Sequence, residues 1–181
     1  DLDDCAAAIL PSFVRQAAIT KIAEEAESLV QVAHRYDGDR VTFYEDDKKG
    51  CSDDDSLDSA VRSVRHPNRY CQILNYQIPN HSDLRAIYLW PPLTEFIRQV
   101  LNVEHLFLSQ CPHLALTMKV AYEGDTDGWH YDPNDGVITL VLQTADNGGE
   151  FEYAPNIRNK NDQNYAGVDR LFKSPDVEAT R

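Results

Sequence analysis

Leu114-Ala115-Leu116-Thr117-Met118-Lys119-Val120-Ala121 is the stretch on which the fold class turns. Leu114, Leu116, Met118 and Val120 alternate with Ala115, Thr117, Lys119 and Ala121. That period of two places one face of a strand on a core and leaves Lys119 pointing to solvent. Further on, Val137-Ile138-Thr139-Leu140-Val141-Leu142 is a β-branched apolar run, Gly148-Gly149 marks a turn, and Glu150 to Tyr153 resumes an extended pattern.

Upstream the period is helical. Ser12 follows Pro11 and is placed to cap a helix carrying Val14, Ala18, Ile22, Ala26, Leu29, Val30 and Ala33 on one face. Residues 36–68 are polar and irregular and read as loop, either a mobile lid or plain disorder. Arg69 to Ile78 reads as a strand. Ser82 caps a helix running to about Trp90, and Pro92 opens another whose apolar face is Leu93, Phe96, Ile97, Val100 and Leu101. The order of helices first and antiparallel-type strands after predicts an α+β domain. Its N-terminal helices would buttress a β-sandwich or jelly roll. One domain spans 1–181, with helical support over about 1–105 and strands over about 106–158. Asn159 to Arg181 is polar and shows no further strand.

Charge narrows the partners. The net charge of −13 argues against nucleic acid and against anionic lipid, both of which need a basic face. No apolar run is long enough to span a bilayer. Cys5, Cys51, Cys71 and Cys111 form no C-x-x-C pair, and their scatter fits free thiols in a reducing compartment, hence the cytoplasm.

The chemistry-bearing stretch is Tyr122-Glu123-Gly124-Asp125-Thr126-Asp127-Gly128-Trp129-His130-Tyr131-Asp132. In an extended chain His130 and Asp132 project to the same side. Their imidazole and carboxylate can then reach one metal ion. A further histidine would complete a facial triad, with three adjacent positions left open for a cosubstrate and oxygen. H-x-D alone is a weak signal, and its bland reading is a surface hydrogen bond.

The surroundings carry more. After His130-Tyr131-Asp132 come the apolar strand Val137 to Gln143 and then Asp146-Asn147-Gly148-Gly149-Glu150, with Tyr122 and Gly124 as lead-in. In that order and spacing the chain resembles the 2-oxoglutarate/Fe(II)-dependent oxygenase superfamily, although its lead-in is one residue shorter. Gly148 to Arg158 is similar to the small bacterial enzymes that hydroxylate or halogenate free amino acids. The resemblance implies a double-stranded β-helix, with Fe(II), 2-oxoglutarate and O2 as cofactors. It implies His130 and Asp132 as catalytic metal ligands and Tyr122 as a cosubstrate contact, unless its ring simply packs in the core. Trp129 and Tyr131 either wall the substrate pocket or pack. Glu150, Glu152, Asn156 and Arg158 either bind a small-molecule substrate or form a solvated face. Halogenases of this group carry a small residue where this chain has Asp132, so hydroxylation is the implied reaction.

One departure is plain. The histidines are His34, His66, His81, His105, His113 and His130, and none follows His130. The superfamily's second histidine and its basic 2-oxoglutarate clamp come later in the chain. The third ligand and the closing strands are therefore expected outside this sequence, in a chain incomplete at its C-terminus. Rival readings are a non-catalytic jelly-roll binding module, a cupin-type metal enzyme and a hydroxylase acting on a protein side chain. Clustered histidines would mark the cupin, and His130 has no close histidine neighbour in the sequence.

Overall fold

The computed structural model describes residues 7–43, 56–132, 136–159 and 161–174. It combines helices with a small three-stranded antiparallel sheet. Helix α1 (Gln16–Leu29) leads through a 3-10 turn (Val30–Val32) into strand β1 (His34–Val41). Helix α2 (Ser56–Ser63) precedes strand β2 (Arg65–Ile73). A second 3-10 turn (Asn75–Gln77), α3 (Asp83–Tyr88), α4 (Pro91–Val100), β3 (Met118–Val120) and α5 (Tyr165–Lys173) follow. The strand order is β1-β2-β3. His34 faces Gln72 and Val41 faces Arg65 across the first ladder, and Cys71 faces Val120 across the second.

Two apolar clusters hold these elements. The first joins Ile22 and Ala26 of α1 to Ile73, Ile78, Leu84 and Met118. The predicted helical stripe is thus the buried face of α1. The second cluster joins Phe43, Val61 of α2 and Val168 of α5, with Tyr131, Ile157, Tyr165 and Phe172 packed against it.

Cap chemistry is well predicted around α3 and α4. Ser82 Oγ accepts a hydrogen bond from the Leu84 amide at 3.2 Å, and Pro91 and Pro92 open α4. The bend before α3 is tied by Arg85, which donates to Asn75 Oδ1 (2.9 Å) and to the carbonyls of Asn75 (2.6 Å), Ile78 (2.7 Å) and Pro79 (3.3 Å). Truncating that guanidinium strands four acceptors, so Arg85→Met is expected to cost about 2 kcal/mol. Urea unfolding measures this; a midpoint unchanged from wild type would refute it.

Several expectations need correction. Ser12 does not cap α1: its φ is +57°, and the helix starts four residues later behind Arg15, which makes no side-chain cap. The stretch read as loop over 36–68 contains most of β1, all of α2 and the first half of β2. β1 shows no apolar alternation because it is an edge strand, held by its backbone ladder to β2 and largely open to solvent. The lid expectation falls partly on 44–55, outside the described residues. Two of the three strands therefore lie within the supposed helical support. Asn159 to Arg181 is not all irregular, since α5 starts at Tyr165. Asn164, at φ +49°, caps it through Oδ1 on the Gly167 amide.

Residues 137–142, read as a strand, enter no ladder among the described residues. Leu140 and Leu142 pack on the first cluster, while Val137, Ile138 and Val141 are exposed. Among the described residues Glu150 to Tyr153 likewise forms no strand, although Tyr153 is a β-bridge residue. A strand requires a hydrogen-bonding neighbour, and apolar periodicity alone supplies none. The α4 face is also open, with Phe96, Val100 and Leu101 exposed.

Candidate functional site

The segment 122–131 is laid across the sheet and pinned at nearly every residue. Gly124, at φ +80°, completes a tight turn in which the Asp125 amide donates to the Tyr122 carbonyl at 2.9 Å. That backbone conformation suits glycine and strains other residues. Asp125 then accepts two hydrogen bonds from Arg35 of β1, each 2.6 Å. Thr126 and Arg69 of β2 exchange backbone hydrogen bonds of 2.7 and 3.0 Å. Asp127 Oδ1 accepts from Arg40 of β1 at 2.9 Å, and Oδ2 pairs with Lys119 of β3. Gly128 is buried against His66 and Pro67 of β2. The Trp129 carbonyl accepts from Thr42 Oγ1 at 2.8 Å, and the Tyr131 amide donates to the Thr42 carbonyl at 3.2 Å.

These pins set the geometry of His130 and Asp132. His130 Nδ1 lies 2.8 Å from the Gly128 carbonyl. A carbonyl only accepts, so Nδ1 carries the proton and Nε2 of a neutral ring keeps its lone pair. Nε2 lies 3.6 Å from Asp132 Oδ1. That distance is too long for a hydrogen bond. It brings two electron-pair donors face to face, an arrangement that a shared cation relieves. Two ligand atoms on one ion at about 2.1 Å sit about 3.0–3.4 Å apart for right to tetrahedral angles. The observed spacing is within a few tenths of an ångström of that, so the pair fits two adjacent metal positions. Among the described residues no third His, Cys, Asp or Glu joins them.

Electrostatics reinforce the pinning. The Arg35 guanidinium and the Tyr122 amide hold the Asp125 carboxyl down at about 2. Desolvation alone would push the Asp127 carboxyl up. Its Lys119 hydrogen bond and the positive charges of Lys119 and Arg40 outweigh this and keep it below the usual value. Because the folded Asp125 value lies below the unfolded one of about 3.9, its stabilisation is complete above that pH and is lost as pH falls toward 2. The Tm difference between wild type and Arg35→Gln should therefore shrink between about pH 5 and pH 2. A gap that stays constant over that range would contradict the Arg35–Asp125 linkage.

The other predicted residues divide. Tyr131 is half-buried, its ring 5.3 Å from that of Phe43, and the Arg158 guanidinium stacks over it at 3.6 Å. The structure thus brings Arg158 onto Tyr131, whose ring packs against the second apolar cluster. Trp129 is half-buried. Tyr122 stands at the turn with its ring 56% exposed. Glu150 is exposed, Glu152 half-buried, and Asn156 occupies a left-handed turn position at φ +53°.

Sequence reasoning missed Arg35, Arg40, Thr42 and Asp127. Lys119 is exposed on its strand, as expected, and there it pairs with Asp127 and lies 4.7 Å over the Tyr70 ring. Alternation gave the correct face for Lys119 but not the partner that the crossing segment places there. The alternation of Asp125 and Asp127 was the available signal, since acids two apart in an extended segment face one side. Among the described residues, no helix is long and apolar enough to cross a membrane. Compared with known proteins, the chain matches no family model, no curated protein and no solved structure.

Proposed function

We propose that this chain is an Fe(II)- and 2-oxoglutarate-dependent oxygenase that hydroxylates a small substrate, a free amino acid or a derivative, in the cytoplasm. The observation that carries this reading is the His130 Nε2 to Asp132 Oδ1 approach of 3.6 Å, with Nδ1 engaged by the Gly128 carbonyl. The order of motifs around it supports the superfamily, with Leu140 and Leu142 of the apolar run packed on the first cluster and Val137, Ile138 and Val141 exposed. Among the described residues no third His, Cys, Asp or Glu joins the pair.

His130 and Asp132 would hold the iron, which when bound supplies the activation of oxygen and of 2-oxoglutarate. The net reaction puts one oxygen atom into a substrate C–H bond and the other into succinate, with loss of carbon dioxide. The protein's part is orientation. The pinned segment keeps His130 in place before any ligand arrives, so less ordering remains for binding. The Arg158 guanidinium stacks on Tyr131 and donates to Gln163 Oε1 at 3.0 Å. The likeness of Gly148 to Arg158 to the free-amino-acid hydroxylases favours a free amino acid over an internal side chain of a protein substrate.

The test uses the full chain with Fe(II), oxygen and 2-oxoglutarate against a panel of free amino acids. Succinate release and product mass are followed together. Succinate matched by a one-oxygen mass gain is the expected result. No turnover together with no Fe(II) binding would overturn the reading and leave a non-catalytic binding module.

A further inference from the structure

Asp127 is a carboxylate that the proposed reaction does not use, yet it sits at the centre of the site's support. Arg40 from β1 and Lys119 from β3 each take one of its oxygens, so it joins the edge strands on either side of β2. Its Oδ1 also lies 3.8 Å from His130 Nδ1. The neighbouring residue, Gly128, supplies the carbonyl that accepts the Nδ1 proton.

From this geometry we infer that Asp127 is a positioning residue for His130, holding the proton on Nδ1 so that Nε2 stays open to a ligand. A negative charge 3.8 Å away favours the tautomer with hydrogen on the near nitrogen. The two-sided clamp also fixes the backbone that carries the Gly128 carbonyl. Partners behind a ligating histidine set both its ring orientation and its ligand strength. The inference rests on the metal-site reading for its consequence, but the tautomer itself can be read without metal.

The experiment compares wild type, Asp127→Asn and Arg35→Gln. The second variant removes the other ion pair of the same segment and leaves Asp127 in place. Nitrogen-15 NMR of the histidine rings in the metal-free protein reports the His130 tautomer. A Co(II) titration followed by absorbance reports affinity. Asp127→Asn should shift His130 toward a mixture of tautomers and weaken Co(II) binding by about tenfold, the low end for a supporting partner. Arg35→Gln should leave the tautomer unchanged. An unaltered tautomer in folded Asp127→Asn would overturn the inference, as would an equal shift in Arg35→Gln. If Asp127→Asn does not fold, Asp127→Ser takes its place. Failure of both to fold would assign Asp127 to the fold alone. A wild type that binds no Co(II) would sink the metal-site reading, while the tautomer comparison would still decide the role of Asp127.

Discussion

Asp132→Ala is expected to lose metal binding and succinate release altogether while the protein keeps its stability. The Asp132 side chain is 46% exposed, and it belongs to neither apolar cluster. Its removal should therefore move unfolding free energy by no more than about 0.5 kcal/mol. The effect on metal should be far larger. His130 alone would remain from the local pair, and loss of a direct ligand exceeds the roughly 10–100-fold penalty seen for supporting residues. Co(II) affinity should fall by more than about 100-fold. Succinate release should drop to the level without enzyme. A folded Asp132→Ala protein that still binds Co(II) like wild type would remove Asp132 from the site. Asp132→Asn separates charge from shape, because an amide keeps an oxygen donor but no negative charge, and it should retain weak binding.

Gly128→Ala is expected to give the largest stability loss of any single methyl added near the site, about 3 kcal/mol, at the upper end of the overpacking range. A Cβ there would meet His66 Cβ at 2.5 Å and the Pro67 carbonyl oxygen at 2.9 Å. Neither is the far end of a flexible side chain, so the segment or β2 has to move. Glycine is required here for close backbone approach. The displaced segment would also carry the Gly128 carbonyl away from His130 Nδ1, so metal affinity should fall with stability. Thermal unfolding and a Co(II) titration on the same sample check both effects. Gly38→Ala is a suitable control, since nothing lies within 4 Å of a Cβ built there. Equal losses in the two variants would refute the packing argument.

What could be foreseen was local. Ser82 reads as a cap and is one, because its hydroxyl needs only an amide two residues on. The α1 stripe reads as buried, and Ile22 and Ala26 are, because helical periodicity acts within a few turns. The pairing of His130 with Asp132 was legible because a spacing of two determines side in an extended chain.

The rest depended on residues far apart in sequence. Arg35 and Asp125 are separated by 90 positions, and Arg40 and Asp127 by 87. No window of sequence contains both members of either pair. β1 carries charge where a strand pattern would carry apolar residues, and only its ladder with β2 makes it a strand. Conversely, 137–142 has the composition of a strand but no ladder partner among the described residues. By itself, then, the sequence determined helices α1, α3 and α4, the Ser82 cap and the presence of a His-x-Asp pair, all through interactions within a turn or two. The tertiary structure alone decided which strands exist, what pins the pair and which nitrogen of His130 faces Asp132. Hydrogen-bonded ladders and ion pairs between distant segments form only once the chain has brought them together.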